Sequence, residues 1–277
     1  MTGTVPVSVV VPTVGRPRLL ADCLGSISRC DPLPSEVLLV DQSGEPAVAD
    51  VAERFGARLV VLPQPNVARA RNVGLREARE AVMLCTDDDC TVERSWVGTG
   101  HQLLQRDPDR IVTGRVLFGG GDPPSLREGE TRQEHTGERR GDVLFTNNMA
   151  ARPRDVLEVG GFDERFAAAA EDNDLCYRWL RAGRRLWFEP SLVITHHGWR
   201  GPEELTETYG GYWRGQGTFY GKHLRRGDAR MLRFLAADLS AAVRAGAGSM
   251  LHRRPAANTT PRPRLIAAGL VRGLLRR

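Results

Sequence analysis

What this sequence lacks narrows it quickly. No apolar run approaches the roughly 18 residues of a membrane-spanning helix, and the opening MTGTVPVSVVVPT carries no basic stretch of the kind that begins a secretory signal. A cytoplasmic chain is the expectation. The five cysteines, Cys23, Cys30, Cys85, Cys90 and Cys176, are odd in number and contain no C-x-x-C pair. That argues against a disulfide frame or a cysteine zinc site and fits reduced thiols. There is no G-x-x-x-x-G-K-[ST] and no G-x-G-x-x-G after the first apolar run, so the two commonest nucleotide-phosphate loops are excluded.

What is present suits a globular body. The chain has 277 residues, 41% hydrophobic and 26% charged, enough to bury a full core in one or two domains. Charge is unevenly divided. Residues 221–277 hold 13 Lys and Arg against 2 acids, a local +11 that leaves −6 for residues 1–220 of a chain whose net charge is +5. A body of residues 1–220 and a basic, helical extension of 221–277 are expected. In RLIAAGLVRGLLRR, Ile266, Ala267, Leu270, Val271, Leu274 and Leu275 share one helical face, with Arg272 and Arg276 opposite and Leu265 out of place. Such a helix suits the surface of an anionic membrane; it equally suits packing on its own body or an unstructured tail. Nucleic acid is a weaker option, because the body is acidic.

The first 90 residues alternate short apolar runs (VSVVVPT, EVLLVD, ARLVVL, AVMLC) with segments of helical spacing such as RLLADCLGSI and VARARNVGLREARE. That rhythm predicts an α/β fold, a mostly parallel sheet flanked by helices. Unbroken apolar runs suit strands covered on both faces. Ligands of such sheets sit at the carboxyl ends of the strands. The residues gathered there are Pro12, Thr13 and Gly15 after the first run, Asp41 after the second, and Asp87, Asp88 and Asp89 after the fourth. Arg71, early in a predicted helix, is placed to meet an anion at the same rim.

Three consecutive acids in VMLCTDDDCTVERSW repel one another and gain nothing from the apolar strand before them. Mg²⁺ and Mn²⁺ take oxygen ligands, typically one or two carboxylates together with substrate phosphates. The acid run therefore predicts a site for a divalent cation and a diphosphate. A turn followed by a helix cap is the plainer use of the same residues.

A second cluster lies in GGFDERFAAAAEDNDLCYRWLRAG. Leu175, Cys176, Trp179 and Leu180 repeat with helical spacing and Gly183 is placed to stop the helix. Glu171, Asp172 and Asp174 fall at its start, where they complement the helix dipole and where an ionised carboxylate can also serve as a general base. The later runs RLWFEP and SLVITHH bring His196 and His197 to another strand end, where an imidazole can complete a carboxylate-rich metal site.

Taken in order, VSVVVPTVGRPRLLADCLGSI, VDQSG, NVARARNVGL, the TDDD cluster, NNMAARPRDVLEVGGFDERF, EDNDLCYRWLRAG and EPSLVITHH resemble a family 2 glycosyltransferase of the GT-A, Rossmann-like fold from about residue 5 to about residue 200. The resemblance implies an inverting, metal-dependent transfer of a hexosyl or deoxyhexosyl group from a nucleotide-diphosphate sugar to an acceptor hydroxyl. It implies that Asp41 meets the nucleobase and that Thr13 and Arg71, with Pro12 and Gly15, line the nucleotide pocket. Asp87 and Asp88 would meet the nucleotide, Asp89, Asp87 and His196 the Mn²⁺ or Mg²⁺, the register of the family's D-x-D motif being open between Asp88 and Asp89. Asp172, with Glu171 beside it, matches the family's base. Gln42 departs from the small polar or acidic residue common after the nucleobase-binding Asp. Segment 119–142, polar and without apolar periodicity, reads as a mobile loop. The aromatics of GWRGPEELTETYGGYWRGQGTFYGKHLRRGD, including Trp199, Tyr212 and Trp213, suit either a sugar acceptor or packing of a connection. The competing readings are a non-catalytic binding protein of the same fold and a sugar-nucleotide pyrophosphorylase, the latter poorly served by VPTVGRPRLL.

Overall fold

The computed structural model describes residues 3–120, 126–137, 143–166, 169–252 and 260–275, with the side chains of 246–252 outside that description. Contacts divide the chain into two compact units, one of Met1–Ala167 with Asp172–Trp199, the other of Ala168–Glu171 with Arg200–Arg277. The break after Trp199 precedes the 220/221 boundary expected from charge. The physical reason is that a single helix, Pro202–Arg225, runs through that position without interruption.

The larger unit is built on one mixed sheet. Its strands are β1 (Thr4–Thr13), β2 (Leu33–Asp41), β3 (Arg58–Val61), β4 (Val82–Thr86), β5 (Cys90–Val92), β6 (Arg110–Phe118), β7 (Gln133–His135), β8 (Asn148–Ala151) and β9 (Arg185–His196). They are ordered β3-β2-β1-β4-β8-β6-β9-β5, with β7 also paired to β9. The first four strands in space are parallel, as are β6 and β9. Strand β8 is antiparallel to both of its neighbours, and β5 and β7 to β9.

Alternation along β1 explains why its apolar run is unbroken. Val7, Val9 and Val11 enter one core with Leu20, Leu24 and Ile27 of α1 (Pro17–Ile27), Val48 of α2 (Pro46–Arg54), and Trp96, Val97 and Leu104 of α4 (Trp96–Arg106). Val10 enters the other, with Leu75 of α3 (Val67–Glu77), Val156 of α5 (Pro153–Glu158), and Leu175, Trp179 and Leu180 of α6 (Glu171–Arg181). Helix α3 lies so close to β1 that a Cβ on Gly74 would stand 2.4 Å from Val10 Cγ1. Helix α6 has the predicted span, and Gly183 leaves it with φ +76°.

Two expectations are corrected in this unit. The acid run is followed by β5 and not directly by a helix. Within segment 119–142, residues 126–137 are tied into the sheet: β7 pairs with β9, Arg127 forms an isolated bridge with Val116, and the Arg127 guanidinium stacks 4.2 Å over Phe188. Residues 121–125 and 138–142 of the expected loop lie outside the described residues.

Among the described residues, the smaller unit contains the helices α7 (Pro202–Arg225), α8 (Arg230–His252) and α9 (Pro263–Leu275). The aromatic and glycine-rich stretch, expected either to face a sugar acceptor or to pack as a connection, lies largely in α7. Gly217 and Gly221 of α7 are explained by α9, because a Cβ at Gly217 would stand 2.0 Å from Ile266 O and one at Gly221 2.3 Å from Leu270 O; reciprocally, one at Gly269 of α9 would stand 1.9 Å from Arg214 O. The α9 face that packs is Ile266, Gly269 and Gly273, which departs from the expected six-residue apolar face and leaves Val271, Leu274 and Leu275 exposed. Tyr220 of α7 donates to Asp238 Oδ2 of α8 at 2.6 Å. No helix among the described residues is long and apolar enough to cross a membrane.

Candidate active site

Strand β4, buried at every position, delivers the three acids into a tight turn closed by Cys90 N–H donating to Asp87 O at 3.1 Å. The turn expected of Asp residues is present; the helix cap is not, since α4 starts beyond β5 with Ser95 at its N-cap. Asp88 and Asp89 share one arginine, and Asp87 goes to another. Asp87 is half-buried and accepts from Arg71 Nη2 at 3.0 Å. Asp88, fully buried, accepts from the Thr13 hydroxyl and from the Arg16 guanidinium, including Nε at 3.1 Å. Asp89 accepts from Trp199 Nε1 at 2.9 Å and from Arg16 Nη1 at 3.4 Å, and its Oδ1 stands 3.4 Å from His196 Nε2.

Burial costs a carboxylate several kcal/mol unless cations and donors offset it. The two buried acids resolve this differently. Burial pushes Asp88 up to about 6 against the opposing pull of Arg16, with the charge of Asp89 adding to the rise. Burial alone would raise Asp89 too, but His196, Arg16 and Trp199 together hold it below the usual carboxylate range. Cys23 and Cys90 are raised well above the ordinary thiol value by burial first and by the neighbouring acids second. All five cysteines are buried and none of them is in a disulfide.

Asp89, Cys90 and His196 offer one ligand atom each within 4.8 Å of one another. Two adjacent ligands on one ion stand about 3 Å apart when each bond is near 2.1–2.2 Å, so the 3.4 Å between Asp89 and His196 suits a shared cation. The Cys90 thiol, kept protonated by burial, is a poor third ligand for a hard ion. Asp87, expected beside Asp89 as a ligand, is outside this group and turned to Arg71. His197 clasps strands: its Nδ1–H donates to Gly119 O at 3.0 Å, which leaves Nε2 to accept from Thr91 at 2.9 Å.

The strand-end rim holds the other expected residues. Thr13 and Asp41 are register partners, as are Pro12 and Val40. The Asp41 carboxylate closes the turn after β2, accepting from Ser43 N–H and Gly44 N–H, both at 2.9 Å. Gly15 has φ +62°, and a Cβ there would stand 2.3 Å from Glu45 Oε1. Gln42 has a structural reason for its departure: it is buried, donates to Thr13 O at 3.3 Å and accepts from Asn66 N–H at 2.7 Å, joining the end of β1 to the start of α3. Asn66 in turn caps α3 through Arg69 N–H.

Glu171 and Asp172 open α6, the first buried and the second half-buried, and Asp172 Oδ1 accepts from Asn173 N–H at 2.7 Å. Two turns of α6 are fixed to the preceding segment by Arg178, which donates to Asp174 Oδ2 at 2.8 Å and to Val159 O and Gly161 O at 2.5 Å each. Hydrogen bonds and ion pairs bring together Thr13, Asp88, Asp89 and His196, and separately Arg71 and Asp87. Arg16 and Cys90 are additions, and Trp199, expected to face a sugar acceptor or to pack a connection, is bonded to Asp89. The signal for Arg16 was its place between VPTVG and a helix start, on the same rim as the acids.

An open α/β sheet with an acid turn, an imidazole and two arginines at its strand ends defines a GT-A type protein. The chain belongs to the glycosyl transferase family 2, whose model matches residues 8–156, more than half of its length. It is 30% identical over 176 residues to the pre-mycofactocin glycosyltransferase of Mycobacterium tuberculosis, covering 58% of this chain and 37% of that one. It is 26% identical over 209 residues to glycosyltransferase AglE of Haloferax volcanii, covering 71% and 68%. Among solved structures it is similar to S. aureus TarS 1–349 in complex with UDP-GlcNAc, with a TM-score of 0.59 at 20% identity over 78% of this chain and 66% of that one. It is also similar to GalNAc-T7 with UDP, GalNAc and Mn²⁺, with a TM-score of 0.55 at 16% identity over 79% and 50%. The chain thus spans little more than a third of the mycobacterial relative.

Proposed function

We propose that the protein is an inverting glycosyltransferase that moves a sugar from a nucleotide-diphosphate donor to an acceptor hydroxyl. The observation that carries this reading is the buried pairing of Asp89 with His196 beside Asp88, at the strand ends where a nucleotide is bound in folds of this kind. The complex of TarS with UDP-GlcNAc, and that of GalNAc-T7 with UDP, GalNAc and Mn²⁺, support a nucleotide sugar as substrate.

Asp41 and Thr13 are assigned to the nucleoside, with Pro12 and Gly15 shaping the rim, and Arg71 and Asp87 bound to each other at its edge. Asp89 and His196 would hold Mn²⁺ or Mg²⁺. A divalent ion there supplies Lewis-acid stabilisation of the departing diphosphate. Asp172, with Glu171 next to it, takes the proton of the acceptor hydroxyl as the oxygen–carbon bond forms at the anomeric carbon and the bond to the diphosphate breaks. Only the proton moves to the protein, and the diphosphate carries away the electron pair.

Val271, Leu274 and Leu275, exposed on α9, and the +11 charge of residues 221–277 support peripheral contact with an anionic membrane surface. Co-sedimentation with anionic but not neutral vesicles is the expected result; equal sedimentation with neither removes that partner.

Calorimetric titration with UDP, GDP, dTDP and CMP, each with Mn²⁺ and with chelator, tests the main reading. One diphosphate that binds only with metal is expected and names the donor class. Binding of none of them with metal would leave the fold as a non-catalytic relative.

A further inference from the structure

Arg16 is the residue in the site that the metal reading does not use. It stands at the N-cap of α1, backbone φ −121° and ψ 64°, with no helix-capping hydrogen bond from its side chain. Its guanidinium spans both buried acids: Nε and Nη2 grip Asp88, Nη1 reaches Asp89 at 3.4 Å. The indole of Trp199 lies over its charge at 4.7 Å while donating to Asp89 Oδ2 at 2.9 Å. Arg16 keeps only 22% of its side chain exposed and Asp88 none. The acids are thus already served by one cation, held by a planar fork and an aromatic face, the geometry in which arginine binds most strongly.

We infer that Arg16 is an internal competitor for the cation site, so that a divalent ion enters at Asp89 and His196 only together with a diphosphate that takes over the Arg16 charge. This rests on the metal reading above. The reasoning is electrostatic. A divalent ion between Asp89 Oδ1 and His196 Nε2 would lie within a few ångströms of the guanidinium on Asp89 Oδ2, and like charges so close in a partly desolvated site repel strongly. A diphosphate supplies the missing negative charge and gives the guanidinium a new bidentate partner. Trp199 is linked to both sides of this exchange, since it holds Asp89 by its N–H and Arg16 by its ring. The arrangement makes Arg16 a positioning residue that orders binding: the bare metal is refused, the metal-bound nucleotide is accepted.

Mn²⁺ binding to the full chain, followed by the loss of the free-ion paramagnetic resonance signal, tests this without any turnover. Wild type is expected to bind Mn²⁺ alone weakly, and Arg16→Gln at least ~10-fold more tightly, the scale of removing one close like charge. Added UDP should tighten Mn²⁺ in wild type by a larger factor than in Arg16→Gln. Equal affinity of the two proteins for Mn²⁺ alone would overturn the competition while leaving the metal site standing. Failure of Arg16→Gln to bind Mn²⁺ at all would overturn the metal reading and the competition with it. Should that variant not fold, wild-type tryptophan fluorescence referred to Trp199→Phe decides: a Trp199 change with Mn²⁺ and UDP but none with Mn²⁺ alone is expected, and a full change with Mn²⁺ alone refutes the inference.

Discussion

Asn72 holds Phe162 by both of its backbone groups: Phe162 N–H donates to Asn72 Oδ1 at 2.8 Å, and Asn72 Nδ2 donates to Phe162 O at 2.8 Å. The same amide nitrogen reaches Glu164 Oε1 at 3.1 Å. Its chain neighbour Arg71 bonds Asp87 and lies 5.8 Å from the Phe162 ring. One side chain therefore sets the GGFDERF segment against the helix whose arginine touches the acid turn. Local sequence, helix α3, long-range packing and the site meet at that amide.

Asn72→Ala leaves two buried backbone groups of Phe162 without their partner. A buried group so orphaned costs about 1–3 kcal/mol, and a loss of at least ~2 kcal/mol in the urea unfolding of the full chain is expected. A loss smaller than ~0.5 kcal/mol would mean that another group takes over both bonds.

Helix α9 makes a sharper test because two glycines of the same unit differ in one respect. A Cβ on Gly269 would drive into Arg214 O, whereas Gly211 of α7 has nothing within 4 Å. Gly269→Ala should destabilise by about 1–3 kcal/mol, as overpacking does. Gly211→Ala should stabilise by about 0.5–1 kcal/mol through helix propensity alone. Thermal melts of the two variants should move in opposite directions; a shared direction would refute the α7–α9 contact.

These cases mark where the sequence was readable. The Val and Leu runs before Thr13, Asp41 and Asp87 declared strands buried on both faces, because a strand so covered has no reason to alternate. Strand ends then located the acids. Arg16 escaped, and so did the bonding role of Trp199, because both arise only when the ends of β1, β4 and β5 meet the end of β9, which no local pattern encodes: β1 pairs with β4 and β5 with β9, while β8 and β6 stand between β4 and β9. Strand β7 escaped for a similar reason: QEH has no apolar signature, and its place beside β9 comes from pairing with Leu186, Trp187 and Phe188. In α9 the apolar residues were counted as the packing face, yet backbone approach requires the smallest residues, so Gly269 and Gly273 face inward while Leu274 and Leu275 face out.

Glu36 gives a pH prediction away from the site. Burial would raise its carboxyl, but Ser8, Arg79 N–H and Arg58 outweigh it and hold the group below the ordinary 4.5. A carboxylate whose folded value lies below its unfolded one contributes stability that is complete above the unfolded value and lost as pH falls through the folded one. Glu36→Gln should therefore be less stable than wild type at pH 7, with the gap closing below about pH 4. A gap unchanged between pH 7 and pH 3 would show that packing, and not charge, explains the loss.

The two carboxylates assigned to chemistry should fail in different ways. Asp172→Asn keeps the size of the side chain and removes its basicity, so transfer should fall about 10²–10⁴-fold, the range of general-base catalysis. Nucleotide affinity in the presence of Mn²⁺ should stay within about two-fold, because Asp172 sits on α6, whereas the acid turn joins β4 to β5 and is bonded by Thr13, Arg16 and Trp199. Asp89→Ala should do the reverse at the binding step, since it removes the oxygen shared by Arg16 and Trp199 as well as the one facing His196. Metal-dependent nucleotide binding should then disappear, so that titrations with Mn²⁺ and with chelator give the same result. If Asp172→Asn loses binding and rate together, the base lies elsewhere and Glu171→Gln becomes the variant to assay. If Asp89→Ala binds with metal as wild type does, the cation is held without Asp89, and the acid turn serves Arg16 alone.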